Sequence, residues 1–179
     1  RNKATQFAIV SLELKFFTYV TENFGEEVAT DLLKFIKACC AREMSEEETY
    51  GHGTDGEFFL LLHFREKRIL MNRLNNIYAM VRKYPGLKKE AFTISAMFGI
   101  YMAERTAEDG NAQKMMDKAV IARNTPTMSG KLSDFSFYTD TLRESYMQQA
   151  DIETKAESAL ANNEFKIFFQ PKLNIKTGR

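Results

Sequence analysis

The spacing of apolar residues in the first third of the chain alternates between the period of a strand and that of a helix. Residues 7–14 form a β-type run, and residues 28–39 carry apolar side chains at helical spacing. An acidic, glycine-containing stretch with an Asp55-Gly56 turn signal leads into an unbroken apolar run over residues 58–64. The pattern therefore predicts a strand, a helix and a hairpin whose second arm is a central strand.

The rest of the chain continues this alternation. Apolar residues recur at helical spacing between residues 66 and 84, where Pro85-Gly86 ends the helix. Strict alternation over residues 92–102 predicts a strand with one face on a core. Further predicted elements are a helix over residues 111–123, a short edge strand over 134–139, a long helix over 141–162 and a strand over 165–171.

This order is β-α-β-β-α-β, with a helix, a strand and a connecting helix appended. It predicts an α+β fold with a ferredoxin-like, mainly antiparallel sheet of five strands and helices packed on its faces. Because such a fold serves many functions, the function has to be inferred from a site.

Composition and charge exclude several classes of protein. Hydrophobic residues make up 44% and charged residues 27% of the 179 positions, which is ordinary for a globular protein. Lys and Arg number 25 against 24 Asp and Glu, so that no overall field attracts the chain to nucleic acid or to an anionic membrane. We therefore expect neither nucleic acid nor a membrane among the partners of this chain.

The cysteines and the lack of a targeting signal indicate the compartment. Cys39 and Cys40 are adjacent within a helical pattern, where a disulfide between them would be strained, so that both are expected to be reduced. The sequence contains neither a signal peptide nor an apolar run of about 18 residues. These features predict a cytoplasmic domain, which we interpret as part of a longer parent protein that can carry a membrane anchor elsewhere.

Several segments resemble, in one consistent order, the GGDEF domains of diguanylate cyclases. The signature hairpin of that family corresponds to Thr54, Asp55, Gly56, Glu57 and Phe58. The resemblance implies the nucleotide-cyclase palm fold over residues 1–140. The other matching segments are FAIVSLELKFF at residues 7–17, TISAMFGI at 93–100, MDKAVIAR at 116–123 and DFSFYTDTL at 134–142.

In that family two carboxylates hold divalent metal on the GTP phosphates, one at the end of the first strand and one at the third signature position. The resemblance places Glu13 at the first position and Gly56, which has no side chain, at the third. Asp55 stands one place earlier, where it either takes over this role after a shift in register or serves only the turn. Lys15 stands close to Glu13, and an ion pair between the two would compete with metal. We expect no cofactor beyond a weak association with Mg-GTP.

The nucleotide contacts that the resemblance implies are reduced as well. Thr21 and Thr30 stand at the guanine-recognising positions, where the family has an Asn and an Asp. Arg123 matches the phosphate-binding lysine of the family, whereas a second basic position corresponds to Thr127. The sequence therefore predicts one surviving phosphate contact and poor discrimination of guanine.

An inhibitory site of the family, an Arg-x-x-Asp placed just before the signature, corresponds here to Ser45 followed by Glu46, Glu47 and Glu48. An Arg is needed there to hold a phosphate and to stack on guanine. Three acidic residues in its place predict that product inhibition at this site is lost.

The end of the chain resembles a second family. Residues 159–179 are similar to the start of EAL cyclic-di-GMP phosphodiesterase domains, where a helix precedes a Tyr-Gln-Pro strand and a Thr-Gly turn. The resemblance implies a linker helix and a first EAL strand over residues 141–179, with Gln170 as a contact to the dinucleotide in the parent protein. An apolar strand without its own sheet should fold back on the body of the chain or pair with a neighbouring chain.

We interpret these features as a degenerate, non-catalytic GGDEF module that regulates a downstream EAL domain in cyclic-di-GMP signalling. Its expected partners are that EAL domain, GTP and a second copy of the chain. One alternative is a weakly active diguanylate cyclase that uses Glu13, Glu57 and Asp55. The other is a protein-interaction scaffold that binds no nucleotide.

Overall fold

The computed structural model describes residues 6–90, 92–103, 110–125 and 134–169. Within these ranges, strands and helices follow one another largely as the sequence predicts. A short 3₁₀ helix covers Pro85–Glu90. The other elements are β1 (Gln6–Leu14), α1 (Phe17–Phe24), α2 (Glu26–Arg42), β2 (Thr49–His52), β3 (Glu57–Phe64), α3 (Lys67–Val81), β4 (Ala96–Met102), α4 (Ala112–Asn124), β5 (Phe135–Phe137) and α5 (Asp140–Ala161).

The strands form one five-stranded sheet in the order β2-β3-β1-β4-β5. β1 lies at its centre and pairs antiparallel with β3 and with β4, and β2 pairs antiparallel with β3. β5 pairs parallel with β4 at the edge of the sheet. The predicted α+β fold with a mainly antiparallel sheet is therefore confirmed.

Helices pack on the faces of the sheet, as predicted, and both faces are covered. Successive residues of a strand point to opposite faces. Val10 of β1 lies in the larger core, together with Ile36 of α2 and Leu74 of α3. Its neighbour Ile9 lies in a smaller core on the other face, together with Ala119 of α4.

Burial differs from the prediction in two strands. The strand predicted over residues 92–102 with one buried face is β4, which begins only at Ala96 and is buried on both faces as far as Tyr101. β3 pairs with a strand on each side, as its apolar run predicts for a central strand, but it alternates between buried and half-buried positions. Helix α4 accounts for the difference because it packs against β4 and β1.

A helix that the apolar pattern does not predict, α1, precedes α2. Gly25 separates the two helices with a φ of 89°, and its N–H donates to the carbonyl of Thr21 at 3.0 Å. Glycine adopts a positive φ without the steric cost that other residues carry. The chain therefore changes direction at Gly25, and α1 lies directly after the end of β1.

The chain divides into two compact units, Arg1–Glu144 and Ser145–Arg179. Helix α5 confirms the long helix predicted over residues 141–162, whereas the predicted domain boundary after residue 140 stays a prediction. None of the helices in the described ranges combines the length and the apolar character that a bilayer crossing requires.

The strand predicted over residues 165–171 is absent from residues 165–169, which belong to no strand or helix. Phe165 is 61% exposed, and Ile167, Phe168 and Phe169 are between 82% and 91% exposed. That this segment folds back on the body of the chain stays a prediction. Pairing with a neighbouring chain stays a prediction, and Gln170 lies outside the described residues.

Candidate functional site

The signature segment forms the tight turn between β2 and β3. Asp55 and Gly56 have φ angles of 48° and 82°, and the N–H of Glu57 donates to the carbonyl of Thr54 at 2.8 Å. Two central residues with positive φ are typical of the type I′ turn, in which Asp-Gly is favoured. The predicted hairpin is confirmed, and Asp55 lies exposed at its tip.

Gly56 is buried against Phe17 of α1. A Cβ atom at Gly56 would lie 2.9 Å from Cγ of Phe17, which is closer than side chains approach one another in proteins. The third signature position therefore has no carboxylate, and it has no room for a side chain unless the ring of Phe17 moves.

Three charged residues that the sequence places in the site meet on one face of the sheet. Glu13 of β1 and Glu57 of β3 are direct cross-strand partners. Arg123 of α4 contacts both, since its Nε lies 3.0 Å from Oε2 of Glu13 and its Nη1 lies 2.6 Å from Oε1 of Glu57. Nη1 also donates to the hydroxyl of Ser11. We call Glu13, Glu57 and Arg123 the carboxylate–arginine cluster.

Gly99 of β4 allows helix α4 to approach the sheet closely at this place. It is the cross-strand partner of Ser11, and a Cβ atom on it would lie 1.9 Å from the carbonyl oxygen of Ala119 and 2.6 Å from the backbone nitrogen of Arg123. Because Gly99 has no side chain, the backbone of α4 lies directly on the strand. Arg123 is consequently only 5% exposed and within reach of both carboxylates.

The residues of the cluster do not fit a divalent cation in this arrangement. Mg²⁺ requires a near-octahedral set of oxygen ligands, of which carboxylates supply one or two. Here both carboxylates are engaged by the guanidinium of Arg123, and Gly56 supplies no side chain. Among the described residues, no group of three or more His, Cys, Asp or Glu side chains could hold a metal ion.

Lys15 does not pair with Glu13, so that the predicted ion pair is wrong. Its Nζ donates to Oδ1 of Asp134 at 2.9 Å, and the hydroxyl of Tyr78 donates to Oδ2 of the same carboxylate at 3.0 Å. The hydrogen bond from Lys15 is the largest influence on the pKa of Asp134, which lies below its ordinary value of 3.8. This network joins the end of β1 to α3 and to the residue before β5.

The two threonines at the guanine-recognising positions lie on different helices. Thr21 is in α1, and its hydroxyl donates to the carbonyl of Phe17 at 3.2 Å, as hydroxyl side chains commonly do inside helices. Thr30 is in α2 and is exposed. A role of either threonine, or of Arg123, in nucleotide binding stays a prediction. Thr127 lies outside the described residues.

The acidic stretch before the hairpin contains a buried ion pair that the sequence did not predict. The side chain of Glu48 is 1% exposed and accepts hydrogen bonds from Nη2 of Arg73 at 2.5 Å and from the backbone N–H groups of Ser45 and His63. Burial favours the neutral form of Glu48, but these hydrogen bonds outweigh it and lower the pKa of the carboxyl group to about 2. Glu48 therefore joins the loop after α2 to β3 and to α3.

Known proteins share this fold. Residues 1–127 match the sequence profile of the family described as diguanylate cyclase, GGDEF domain. The GGDEF domain of PA1120 (TpbB or YfiN) from Pseudomonas aeruginosa has a TM-score of 0.64 at 15% identity, covering 78% of this chain and 80% of that one. The GGDEF domain of DgcB from Caulobacter crescentus, solved in complex with c-di-GMP, has a TM-score of 0.61 at 12% identity, covering 74% and 78%.

A similar curated protein is the uncharacterized protein sll1895 from Synechocystis, which is 20% identical over 185 residues. That alignment covers all of this chain but 25% of the relative, so that the chain spans about a quarter of the length of the relative. The solved structures show the palm fold, and the family profile covers more than half of the chain. The chain therefore belongs to the GGDEF domain family and is related to the diguanylate cyclases.

Proposed function

We propose that this chain is a non-catalytic GGDEF module that modulates a downstream EAL phosphodiesterase domain in a cyclic-di-GMP signalling protein. The observation that carries the proposal is the state of the two metal positions. Glu13 is held by Arg123, and the third signature position is Gly56, against which Phe17 packs. Without metal-binding carboxylates, the negative charge of two GTP molecules is not neutralised during attack on a phosphate.

The positions that would read guanine support the same proposal. An Asp accepts two hydrogen bonds from a guanine edge, whereas Thr30 at that position offers a single hydroxyl oxygen. At the Asn position, the hydroxyl hydrogen of Thr21 is already donated to the carbonyl of Phe17. Each buried polar group left unpaired costs about 1–3 kcal/mol. We therefore expect at most a weak association with Mg-GTP that does not depend on the base.

The stretch before the hairpin argues against inhibition by the product. Glu46 and Glu47 are exposed, where their charge repels a cyclic dinucleotide, and Glu48 is committed to Arg73 inside the fold. No arginine stands in this stretch to hold a phosphate.

The decisive measurement is the formation of cyclic-di-GMP from GTP with Mg²⁺ or Mn²⁺, followed by chromatography. We expect no product above a blank without protein. Glu13→Gln is the informative variant, and Glu46→Gln, an exposed acid outside the carboxylate–arginine cluster, is the matched control. Product that is lost in Glu13→Gln and retained in Glu46→Gln would establish a weakly active cyclase, the alternative that the direct pairing of Glu13 with Glu57 favours.

Isothermal titration with GTP and Mg²⁺ separates the remaining alternatives. Binding without turnover favours a GTP-responsive regulator, and a flat titration favours a protein-interaction scaffold. Sedimentation of the chain with and without GTP tests whether a second copy is also a partner.

The proposed link to an EAL domain is supported by the segment after α5. Its large apolar side chains, those of Phe165, Ile167, Phe168 and Phe169, are exposed, and contiguous exposed apolar residues are typical of a surface that a partner covers. In the parent protein, hydrolysis of cyclic-di-GMP should be measured with and without GTP, both for the intact chain and after deletion of residues 7–136. A change of rate on deletion supports regulation, and identical rates in all four conditions contradict it.

A further inference from the structure

We infer that Arg123 takes the place of the divalent cation, as an internal cation fixed between Glu13 and Glu57. The inference deepens the proposed function of the same site and rests on it. Nε of Arg123 lies 3.0 Å from a carboxylate oxygen of Glu13, and Nη1 lies 2.6 Å from one of Glu57. One guanidinium thus joins the end of β1 to the start of β3.

The two carboxylates need a cation between them. Glu13 and Glu57 are direct cross-strand partners, and like charges directly opposite one another destabilise a sheet. The charge of Arg123 cancels one of the two negative charges. The side chains of Glu13 and Glu57 remain 34% and 22% exposed, so that water solvates the charge that is left over.

Arg123 has little capacity left for an anion. Its side chain is 6% exposed. Nε contacts Glu13 and, at 3.2 Å, donates to Oδ1 of Asn124, and Nη1 donates to Glu57 and to the hydroxyl of Ser11. A phosphate that approached the guanidinium would also approach two carboxylates, which repel it. The same side chain therefore cannot hold both the cluster and the phosphate of a nucleotide.

The position of the guanidinium is set by the packing of its helix. Gly99 lets the backbone of α4 lie on β4, so that the backbone nitrogen and the Cβ atom of Arg123 stand close to the sheet. Ser11, the cross-strand partner of Gly99, accepts a hydrogen bond from Nη1 on the strand that also carries Glu13. The cation is therefore part of the packed structure, which distinguishes it from an exchangeable ion.

The variant Arg123→Met tests this inference because it removes the charge and keeps much of the apolar stem. Mn²⁺ is the probe, titrated into the chain without GTP and followed by the loss of the free-ion signal in electron paramagnetic resonance. We expect no saturable binding by the wild type. In Arg123→Met saturable binding of Mn²⁺ should appear, with an affinity at least about tenfold above the upper limit set by the wild type, which corresponds to about 1.4 kcal/mol.

Three controls accompany this variant. Arg123→Lys keeps a positive charge and should gain no Mn²⁺ site. Arg68→Met removes an exposed arginine of α3 and should behave as the wild type. Adding Glu13→Gln to Arg123→Met should abolish the gain, because the new site needs both carboxylates.

Circular dichroism establishes that each variant is folded. A folded Arg123→Met that gains no Mn²⁺ affinity overturns the inference. If Arg123→Met does not fold, the titration of the wild type with Mn²⁺ tests the inference. Saturable binding by the wild type that is lost in Glu13→Gln overturns the inference, and a lack of saturable binding by the wild type supports it. Because no GTP is present, the Mn²⁺ titrations test this inference separately from the proposed function. The proposed lack of catalysis would be refuted only by the formation of cyclic-di-GMP from GTP.

Discussion

Gly56 packs directly against Phe17, so closely that a Cβ atom on Gly56 would lie 2.9 Å from Cγ and 3.1 Å from Cβ of the phenylalanine. The carbonyl of Gly56 also accepts a hydrogen bond from the N–H of Leu14 at 3.2 Å. The signature turn is thus joined to the end of β1 and to α1 through a residue without a side chain. The absence of an acid at this position is part of the packing of the domain.

Restoring an acid at the third signature position should therefore destabilise the chain. Gly56 has a φ of 82°, and a residue other than glycine held in such a region costs about 1–3 kcal/mol before any contact with Phe17 is counted. We expect Gly56→Asp to lower the free energy of unfolding by about 3 kcal/mol. Unfolding in urea, followed by circular dichroism, measures the change.

Gly51→Ala in β2 is the matched control, since a Cβ atom there would meet nothing within 4 Å. Its effect should stay within about 0.5 kcal/mol. Phe17→Ala makes room for a side chain at Gly56. The double variant should therefore lose less unfolding free energy than the sum of the losses in Gly56→Asp and in Phe17→Ala. A Gly56→Asp variant as stable as the wild type would contradict the packing described here.

The turn at Asp55 and Gly56 could be predicted from the sequence because its cause is local. An Asp-Gly pair between two apolar runs selects a type I′ turn without help from the rest of the chain. The partner of Lys15 could not be predicted in this way. Asp134 lies 119 residues away and reaches Lys15 only because β5 pairs with β4.

The contacts of Arg123 show the same limit. Resemblance to a family identifies the position, but what the guanidinium contacts depends on how close α4 comes to the sheet. That distance is set by Gly99, which allows α4 to lie close to β4. The spacing of apolar and polar residues in the sequence does not indicate this close approach. The two-sided burial of β4 and the half-buried face of β3 likewise follow from where α4 lies.

The buried pair of Glu48 and Arg73 should make stability depend on pH in the acid range. The pKa of Glu48 is about 2 in the folded chain against an ordinary value of 4.5, so that the contribution is fully present above pH 4.5 and is lost as the pH falls towards 2. Each pH unit of that interval corresponds to about 1.4 kcal/mol, giving about 3 kcal/mol in total. Urea unfolding between pH 2 and pH 7 measures this contribution as the difference between the wild type and Glu48→Gln.

That difference should be largest at neutral pH and should shrink below pH 4.5. Asp151→Asn is the control, because Asp151 pairs with Lys155 on the surface of α5, where both side chains are at least 60% exposed. Exposed pairs contribute about 0–1 kcal/mol. A difference between the wild type and Glu48→Gln that does not change with pH would show that the carboxylate charge is not what stabilises this region.

Phe16 offers a site for stabilisation. It has a φ of 61°, a left-handed conformation that costs most residues about 1–2 kcal/mol, and its ring is 71% exposed. Asn accepts this conformation more readily, and little buried area is lost with the ring. We expect Phe16→Asn to raise the free energy of unfolding by about 1 kcal/mol. Phe165→Asn, at an exposed position without a positive φ, should bring no gain.

Gly99→Ala should separate helix α4 from the sheet. The new Cβ atom would lie 1.9 Å from the carbonyl oxygen of Ala119 and 2.6 Å from the backbone nitrogen of Arg123, and backbone atoms cannot rotate away as a side chain does. Overpacking of a core costs about 1–3 kcal/mol, and we expect the upper end of that range because the whole helix has to shift. Gly110→Ala is the control, since a Cβ atom at Gly110 would meet nothing within 4 Å.

A double-mutant cycle connects this packing to the carboxylate–arginine cluster. If α4 shifts in Gly99→Ala, Nη1 of Arg123 loses its position beside Ser11 and Glu57. Fewer stabilising contacts of Arg123 then remain for Arg123→Met to remove. The two losses of unfolding free energy should then fall short of additivity by about 0.5–3 kcal/mol, the range found for residues in one network. Strict additivity would mean that Gly99 does not set the position of Arg123. The cycle also predicts that Gly99→Ala, which leaves both carboxylates in place and only displaces the cation, gains part of the Mn²⁺ affinity expected of Arg123→Met.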